Sequence, residues 1–192
     1  MNVKDTMEAR RSYRALGPAE ISDETIKELA RAAQLAPSCF NNQPWRFVFA
    51  RSPQALAKVH ACLSKGNEWA RNGSCVVAAF ARKDYDCVIK EREYYLFDLG
   101  QAAFALQLRA TELGLVAHPI AGFDNEKVRQ ELGIPEGNMV LALIVLGKKS
   151  ADKSGLNEYQ AAGEDERPER LSLETFYAVD AYDARMAAKP KR

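Results

Sequence analysis

Between Glu91 and Leu113 the chain carries Tyr94, Tyr95, Leu96, Phe97, Leu99, Ala102, Ala103, Phe104, Ala105, Leu106 and Leu108, more apolar surface than one helical stripe holds. A helix apolar around most of its circumference must be covered on several sides. Whatever else the chain forms has to wrap this segment. One covering surface could belong to a second subunit, or the segment could be the central core helix of a monomer. The residues leave both readings open.

Flanking segments supply the cover. Ser22 is placed to cap a helix whose first turn holds Asp23 and Glu24, matching the positive end of the helix dipole. Its apolar face is Ile26, Leu29, Ala30 and Ala33, and Pro37 ends it. Ser52-Pro53 sets a cap before a proline at the first helical position, and Leu56, Val59 and Leu63 recur at helical spacing. Asp124 opens a further helix that runs to Leu132 and stops at Gly133. Strands are predicted at Trp45–Ala50, Cys75–Ala81 and Met139–Leu146, with a short one at Val116–Ile120. With a short helix ahead of Arg10, helices and strands alternate along the chain, which predicts an α/β (α+β layered) domain. From Ser150 the character changes. Ser150–Arg170 is rich in charge, Gly and Ala, and Leu171, Leu173, Phe176 and Tyr177 then predict an arm ending in a short amphipathic helix, with Ala187–Arg192 as a frayed basic end. No repeat or second domain is visible, so one domain over residues 1–192 is expected.

Charge and cysteine usage remove several function classes. The formal net charge is +1, so no global basic field draws the protein to nucleic acid or an anionic membrane. Met1–Arg14 is polar and charged, without the apolar core of a secretory signal, and no apolar run approaches membrane-spanning length; a cytoplasmic protein is expected. Cys39, Cys62, Cys75 and Cys87 form no C-x-x-C pair, and His60 and His118 lack partners at ligand spacing, so no metal site is expected. In a reducing compartment these cysteines are expected as buried or half-buried thiols rather than disulfides.

Two clusters can carry chemistry. Arg10-Arg11-Ser12-Tyr13-Arg14 offers three guanidinium groups and a hydroxyl just after a short helix, a plausible phosphate cradle. Ala36-Pro37-Ser38-Cys39-Phe40-Asn41-Asn42-Gln43-Pro44-Trp45 is a loop between a helix and a strand, dense in hydroxyl and amide groups beside aromatic rings. No glycine-rich nucleotide loop and no nucleophile–base set accompanies them.

These motifs, taken in order, resemble the nitroreductase family. They are R-R-S-x-R, then P-S-x-x-N-x-Q-P-W leading into a strand, Gly66-Asn67-Glu68-Trp69-Ala70, Asp98-Leu99-Gly100, Gly114-Leu115 and Pro119-Ile120-Ala121-Gly122-Phe123, with the last strand ending at Gly147. The resemblance implies a central, mostly antiparallel or mixed sheet flanked by helices, with residues 150–192 as a C-terminal arm reaching a partner subunit. It also implies an FMN-dependent oxidoreductase that uses NADH or NADPH to reduce an organic acceptor (a nitroaromatic, a quinone or similar) by a ping-pong hydride transfer, working as a homodimer with shared FMN sites. Position by position, Arg10, Arg11, Ser12 and Arg14 match FMN phosphate and ribityl contacts. Pro37, Ser38, Cys39 and Asn41 match the loop that reaches the flavin of the other subunit. Asn67 matches a contact to the pyrimidine part of the ring, and Ile120, Ala121 and Gly122 match the backbone beside flavin N5. Arg170, with Arg167 as its neighbour, best fits a cationic contact from the arm. No side chain is assigned as acid or base: His118 is expected to be structural, and Asp98 to have a helix-packing or capping partner such as an arginine. Other FMN chemistries of the same fold (dehalogenation, enoate reduction, flavin fragmentation), a flavin-binding module without turnover, and an FMN-free interaction domain are the alternatives.

Overall fold

Side-chain caps set the helix boundaries where the sequence places them. In the computed structural model, which describes residues 2–187, Asn2 caps α1 (Val3–Ala9), and the chain then runs extended into β1 (Leu16–Gly17). Ser22 accepts from the Thr25 N–H to cap α2 (Asp23–Gln34). After β2 (Arg46–Ala50), Ser52 caps α3 (Pro53–His60), with Pro53 at its first position. β3 (Cys75–Ala81) is followed by a hairpin of β4 (Val88–Ile89) and β5 (Arg92–Glu93), then by α4 (Tyr94–Glu112) and β6 (Val116–Ile120). Asp124 caps α5 (Asn125–Glu131), β7 (Met139–Lys149) follows, and α6 (Glu158–Asp165) closes the series. No helix among the described residues is long and apolar enough to cross a membrane.

β7 is the hub of the sheet. It pairs antiparallel with β3, β6 and β1, and β3 pairs antiparallel with β2 on its far edge. Every residue of β3 is buried, so both of its faces need cover. Cys75, Val77, Ala79 and Ala81 face a cluster holding Leu29 and Ala33 of α2 and Tyr95, Leu99, Ala102, Leu106 and Ala110 of α4. Val76, Ala78 and Phe80 face a second cluster with Val59 of α3, Trp69, and Val128 of α5. Helices thus cover both faces of an antiparallel sheet, the layered α/β class expected from the alternation. α4 turns one side to this core, while Phe97 is 64% and Phe104 41% exposed on its outer side.

Several expectations need correction. The long helix begins at Tyr94 rather than Glu91, because residues 88–93 fold into a hairpin whose Lys90 has φ of 57°. The last strand runs past Leu146 to Lys149, since β1 supplies ladder partners for Lys148 and Lys149. The amphipathic helix expected at 171–177 is only a single turn, Leu173–Thr175. The helix of this region lies earlier, where Asn157 and Gln160 form a reciprocal capping box for α6. Cys39 and Cys87 are joined in a disulfide with Cα atoms 6.4 Å apart, against the expectation of thiols only, because the hairpin folds back onto the 37–43 loop. Of the expected basic end, residues 188–192 lie outside the described residues.

Gly73 marks how tightly β3 enters the sheet. A Cβ there would stand 2.4 Å from Cγ1 of Val145 and 3.2 Å from the carbonyl oxygens of Ala70 and Leu146. Gly155 has open space and is the natural control. Gly73→Ala is expected to cost about 2 kcal/mol of unfolding free energy by overpacking, read from denaturant midpoints, with Gly155→Ala near neutral.

Candidate functional site

The N-terminal arginine cluster becomes a cleft because α6 is docked against it. The buried Glu164 carboxylate accepts from the Arg14 N–H at 2.8 Å and the Ala15 N–H at 3.2 Å. Arg11 Nη2 donates to the carbonyls of Gly163 (2.9 Å) and Glu166 (2.7 Å), and Arg167 Nη2 donates to those of Arg10 (3.1 Å) and Glu8. The space left between, about 400 Å³, is lined by Arg10, Arg11, Ser12, Arg14, Arg167 and Arg170, with Tyr159, Ala162, Gly163 and Pro168, and by no carboxylate among the described residues. Partial burial, then the positive fields of Arg167 and Arg170, hold the Arg10 guanidinium below its usual pKa. Guanidinium groups gathered around a space that no carboxylate lines among the described residues make the cleft a receptor for an anion.

A second patch adjoins it. Asn67 Nδ2 donates to the Gly122 carbonyl at 3.0 Å, and the Ser64 N–H reaches the same oxygen at 3.0 Å. A Cβ on Gly122 would fall 2.3 Å from Asn67 Nδ2, so a larger residue there would displace the Asn67 amide from this contact. Gln160 Nε2 of α6 donates to the Gly66 carbonyl at 2.8 Å and ties the patch to the wall of the arginine cleft. Beneath, His118 stacks on Trp69 with ring centroids 4.5 Å apart, and the Arg14 guanidinium lies 5.9 Å from the Trp69 ring centroid. His118 Nδ1 is 3.0 Å from the Tyr13 carbonyl, which only accepts, so this nitrogen carries the proton. Burial, and to a lesser degree the fields of Arg14 and Arg10, push the His118 pKa down to about 4. His118 is therefore a neutral structural group that fixes Tyr13 and, through it, the cleft.

The third cluster stands apart. Pro37, Ser38, Cys39 and Asn41 do not line the arginine cleft. Their loop is fastened to the start of α4, where buried Asp98 Oδ2 accepts the Cys39 N–H at 2.7 Å. Asp98 also takes the Gln101 amide at 3.2 Å, so its partners are a backbone N–H and an amide rather than the arginine expected. Desolvation, with the neighbouring Asp86 carboxyl adding to it, raises the Asp98 pKa. Phe40, Asn41 and Gln43 all have left-handed φ (48°, 60° and 50°), and the Phe40 side chain is 86% exposed. For a bulky residue such a φ costs on the order of 1 kcal/mol and persists only under firm anchoring.

Residues 7–148 match the profile of the Nitroreductase family. The chain belongs to that family. It is 28% identical over 175 residues to an Archaeoglobus fulgidus protein provisionally named NADH dehydrogenase/NAD(P)H nitroreductase, covering 87% of this chain and 94% of the relative. To the NADH dehydrogenase of Thermus thermophilus it is 28% identical over 178 residues, 77% of this chain and 86% of that one. A crystal structure described as an oxidoreductase containing FMN is 29% identical and superposes with a TM-score of 0.82 over 95% of this chain and 94% of its own.

Within this nitroreductase-family chain, Arg10, Arg11, Ser12, Arg14 and Arg170 share one cleft, while Asn67 and Ile120–Gly122 form the patch beside it. Sequence reasoning missed Tyr159, Gly163 and Glu164. The Asn157–Gln160 capping box was the signal that a helix stood there.

The burial of neutral His118 has a pH consequence. Its folded pKa of about 4 lies below the ordinary 6.5, so between these values the unfolded chain binds the extra proton and stability falls as pH falls. The loss is on the order of 3 kcal/mol. Wild type is expected to exceed His118→Asn in unfolding free energy at pH 7 and to lose most of that advantage by pH 4; an advantage constant across the range would show that His118 does not titrate with folding.

Proposed function

We propose that this protein is an FMN-dependent oxidoreductase that takes reducing equivalents from NADH or NADPH and passes them to an organic acceptor such as a nitroaromatic or a quinone in a ping-pong cycle. The observation that carries this reading is the arginine cleft, where the Arg10 guanidinium lies in the positive fields of Arg167 and Arg170 and no carboxylate lines the space among the described residues. A phosphate dianion is the charge and shape that such a cluster neutralises. Membership of the nitroreductase family, and the likeness to an oxidoreductase containing FMN, identify FMN as the phosphate's bearer.

In this assignment Arg10, Arg14 and Arg170 grip the phosphate, and Ser12, held by Arg10 Nη1 at 3.2 Å, serves the ribityl chain. Arg11 contributes charge while its Nη2 holds α6 in place. Asn67 faces the pyrimidine side of the ring. Ile120, Ala121 and Gly122 offer backbone rather than long side chains beside N5; Ala121 is exposed, and the Gly122–Asn67 approach keeps bulk out. When bound, the flavin supplies the hydride-accepting and hydride-donating chemistry. The chain's own residues orient it and set the electrostatics, and none is required as acid or base, which agrees with His118 being buried, neutral and bonded to Tyr13.

The remaining contacts come from a second copy. Phe40, Phe97 and Phe104 are exposed apolar groups on the 37–43 loop and the outer side of α4, a surface suited to pairing two chains. In such a homodimer Pro37, Ser38, Cys39 and Asn41 of each chain reach the flavin held by the other, and the C-terminal arm extends across the same interface. Residues 1–192 act as one FMN-binding domain.

Absorption spectra under anaerobic conditions test the reading. The purified protein is expected to show bound flavin that bleaches on addition of NADH or NADPH and recovers with a quinone. Arg10→Gln with Arg170→Gln removes two charge-assisted contacts and is expected to weaken FMN binding by about a hundredfold or more, with far-UV circular dichroism unchanged. Full flavin loading of that double variant would refute the cradle.

A further inference from the structure

The Cys39–Cys87 pair sits outside the arginine cleft, and the proposed cycle uses Cys39 only as a flavin contact, with no role for sulfur chemistry. Its position sets it apart from the other cysteines. Cys62 and Cys75 are buried thiols in the two core clusters, and burial pushes Cys75 up to about 12, which makes it inert. Cys39 and Cys87 are half-buried and belong to neither cluster, so the core does not depend on a bond between them. Their Cα atoms, 6.4 Å apart, stand at ordinary disulfide spacing, and they are 48 residues apart in sequence, one in the 37–43 loop and the other entering the β4–β5 hairpin.

The surroundings accommodate the reduced pair as well as the oxidised one. Asp86 Oδ1 lies 3.4 Å from Cys87 Sγ and also accepts from Asn42 Nδ2 at 3.1 Å. A carboxylate oxygen of Asp86 lies within 4.8 Å of both sulfurs, so thiols formed by reduction have an acceptor at hand. Asp98 holds the Cys39 N–H, and Ser38 Oγ accepts the Gln43 N–H at 3.0 Å. These non-covalent anchors keep the loop ends near the hairpin when the covalent one is absent. Between them lie Phe40, Asn41 and Gln43 in left-handed backbone, a conformation that relaxes when an anchor is released.

We propose that Cys39 and Cys87 form a reversible thiol–disulfide clasp that locks the 37–43 loop onto the hairpin, and that small-molecule disulfides close it. One cysteine thiolate attacks a sulfur of the disulfide RSSR, forming a mixed disulfide and expelling RS⁻. The second thiolate attacks the protein-bound sulfur and expels the other RS⁻. Two protein thiols lose two protons and two electrons, and RSSR gains them as two RSH. Resting on the FMN reading given above, the closed clasp presents the loop ready-shaped to the partner's flavin, and opening it weakens flavin binding by the fraction of time the loop spends misshapen.

Alkylation, mass spectrometry and hydrogen exchange test the clasp without reference to flavin. After incubation with oxidised glutathione and unfolding in alkylating reagent, the chain is expected to take two labels, on Cys62 and Cys75, with Cys39 and Cys87 recovered as one cross-linked peptide; dithiothreitol restores four labels. Amides of residues 38–43 are expected to exchange roughly tenfold faster in the reduced protein, and Cys87→Ser to match the reduced wild type whatever the oxidant. FMN affinity of the wild type is expected to fall roughly tenfold on reduction and that of Cys87→Ser not to change. Four labels at every oxidant ratio, exchange of residues 38–43 that is blind to the redox state, or two labels that rise to four only on adding a zinc chelator, would each overturn the clasp. The last result would mean that Cys39, Asp86 and Cys87, whose ligand atoms lie within 4.8 Å of one another, hold a metal instead. A clasp that responds in a protein binding no FMN in either state would sink the FMN reading and leave the clasp standing.

Discussion

A strand apolar on both faces admits only an interior position, and the rest of the molecule follows from that constraint. β3 buries all seven of its residues, one alternate set against α2 and α4 and the other against α3, α5 and Trp69. Full coverage requires helices on both sides and hydrogen-bonding partners on both edges, which β2 and β7 supply. β7 in turn is long enough to hold β6 and β1, with β1 opposite Lys148 and Lys149 and β6 running from Val116 opposite Gly147 to Ile120 opposite Leu143. The arginine segment 10–14 precedes β1 and the Ile120–Gly122 segment ends β6. Side-chain bonds then link these two parts of the proposed cofactor site: His118 of β6 holds the Tyr13 carbonyl, and Gln160 of α6 holds Gly66 beside the Asn67–Gly122 contact.

What turns a basic segment into a site is a buried carboxylate. Glu164 satisfies two backbone N–H groups at Arg14 and Ala15, and its burial is tolerated because its oxygens are spent on those donors. The same docking commits Arg11 and Arg167 to carbonyl groups, which holds the cleft open while leaving Arg10 and Arg170 facing it. The cluster is held together against its own repulsion by bonds that do not neutralise it, a preorganised state for an anion. The 37–43 loop is built on the opposite logic: strained backbone is pinned by Asp98, Ser38 and the Cys39–Cys87 link, with Phe40 turned outward.

Much of this was legible in the chain and some was not. Strand limits at Cys75–Ala81 and Val116–Ile120, and the caps Ser22, Ser52 and Asp124, stand where the sequence signals put them. The hairpin at 88–93 escaped because Arg92 and Glu93 fit a helix as readily as a strand, and only a left-handed Lys90 turns the chain there. α6 escaped for a different reason. Its composition is small and charged, and only its capping box marks it locally. The Cys39–Cys87 link ran against a sound compositional argument, because no rule of spacing tells that residue 87 folds back onto residue 39.

By itself the sequence determined the layered α/β class, the helix starts, the apolar runs that became the inner strands, and the arginine and Gly122 motifs that carry the family membership. These depend on interactions within a few residues: a hydroxyl capping an N–H three positions on, a side chain repeating every second or every fourth place. The tertiary structure alone decided that Glu164 would reach residues about 150 positions earlier, that Asp98 would hold a loop N–H rather than an arginine, and that His118 would be locked neutral beneath Tyr13. Each of those is a choice among many partners of suitable chemistry, and proximity settles it only after two faces of β3 have been covered.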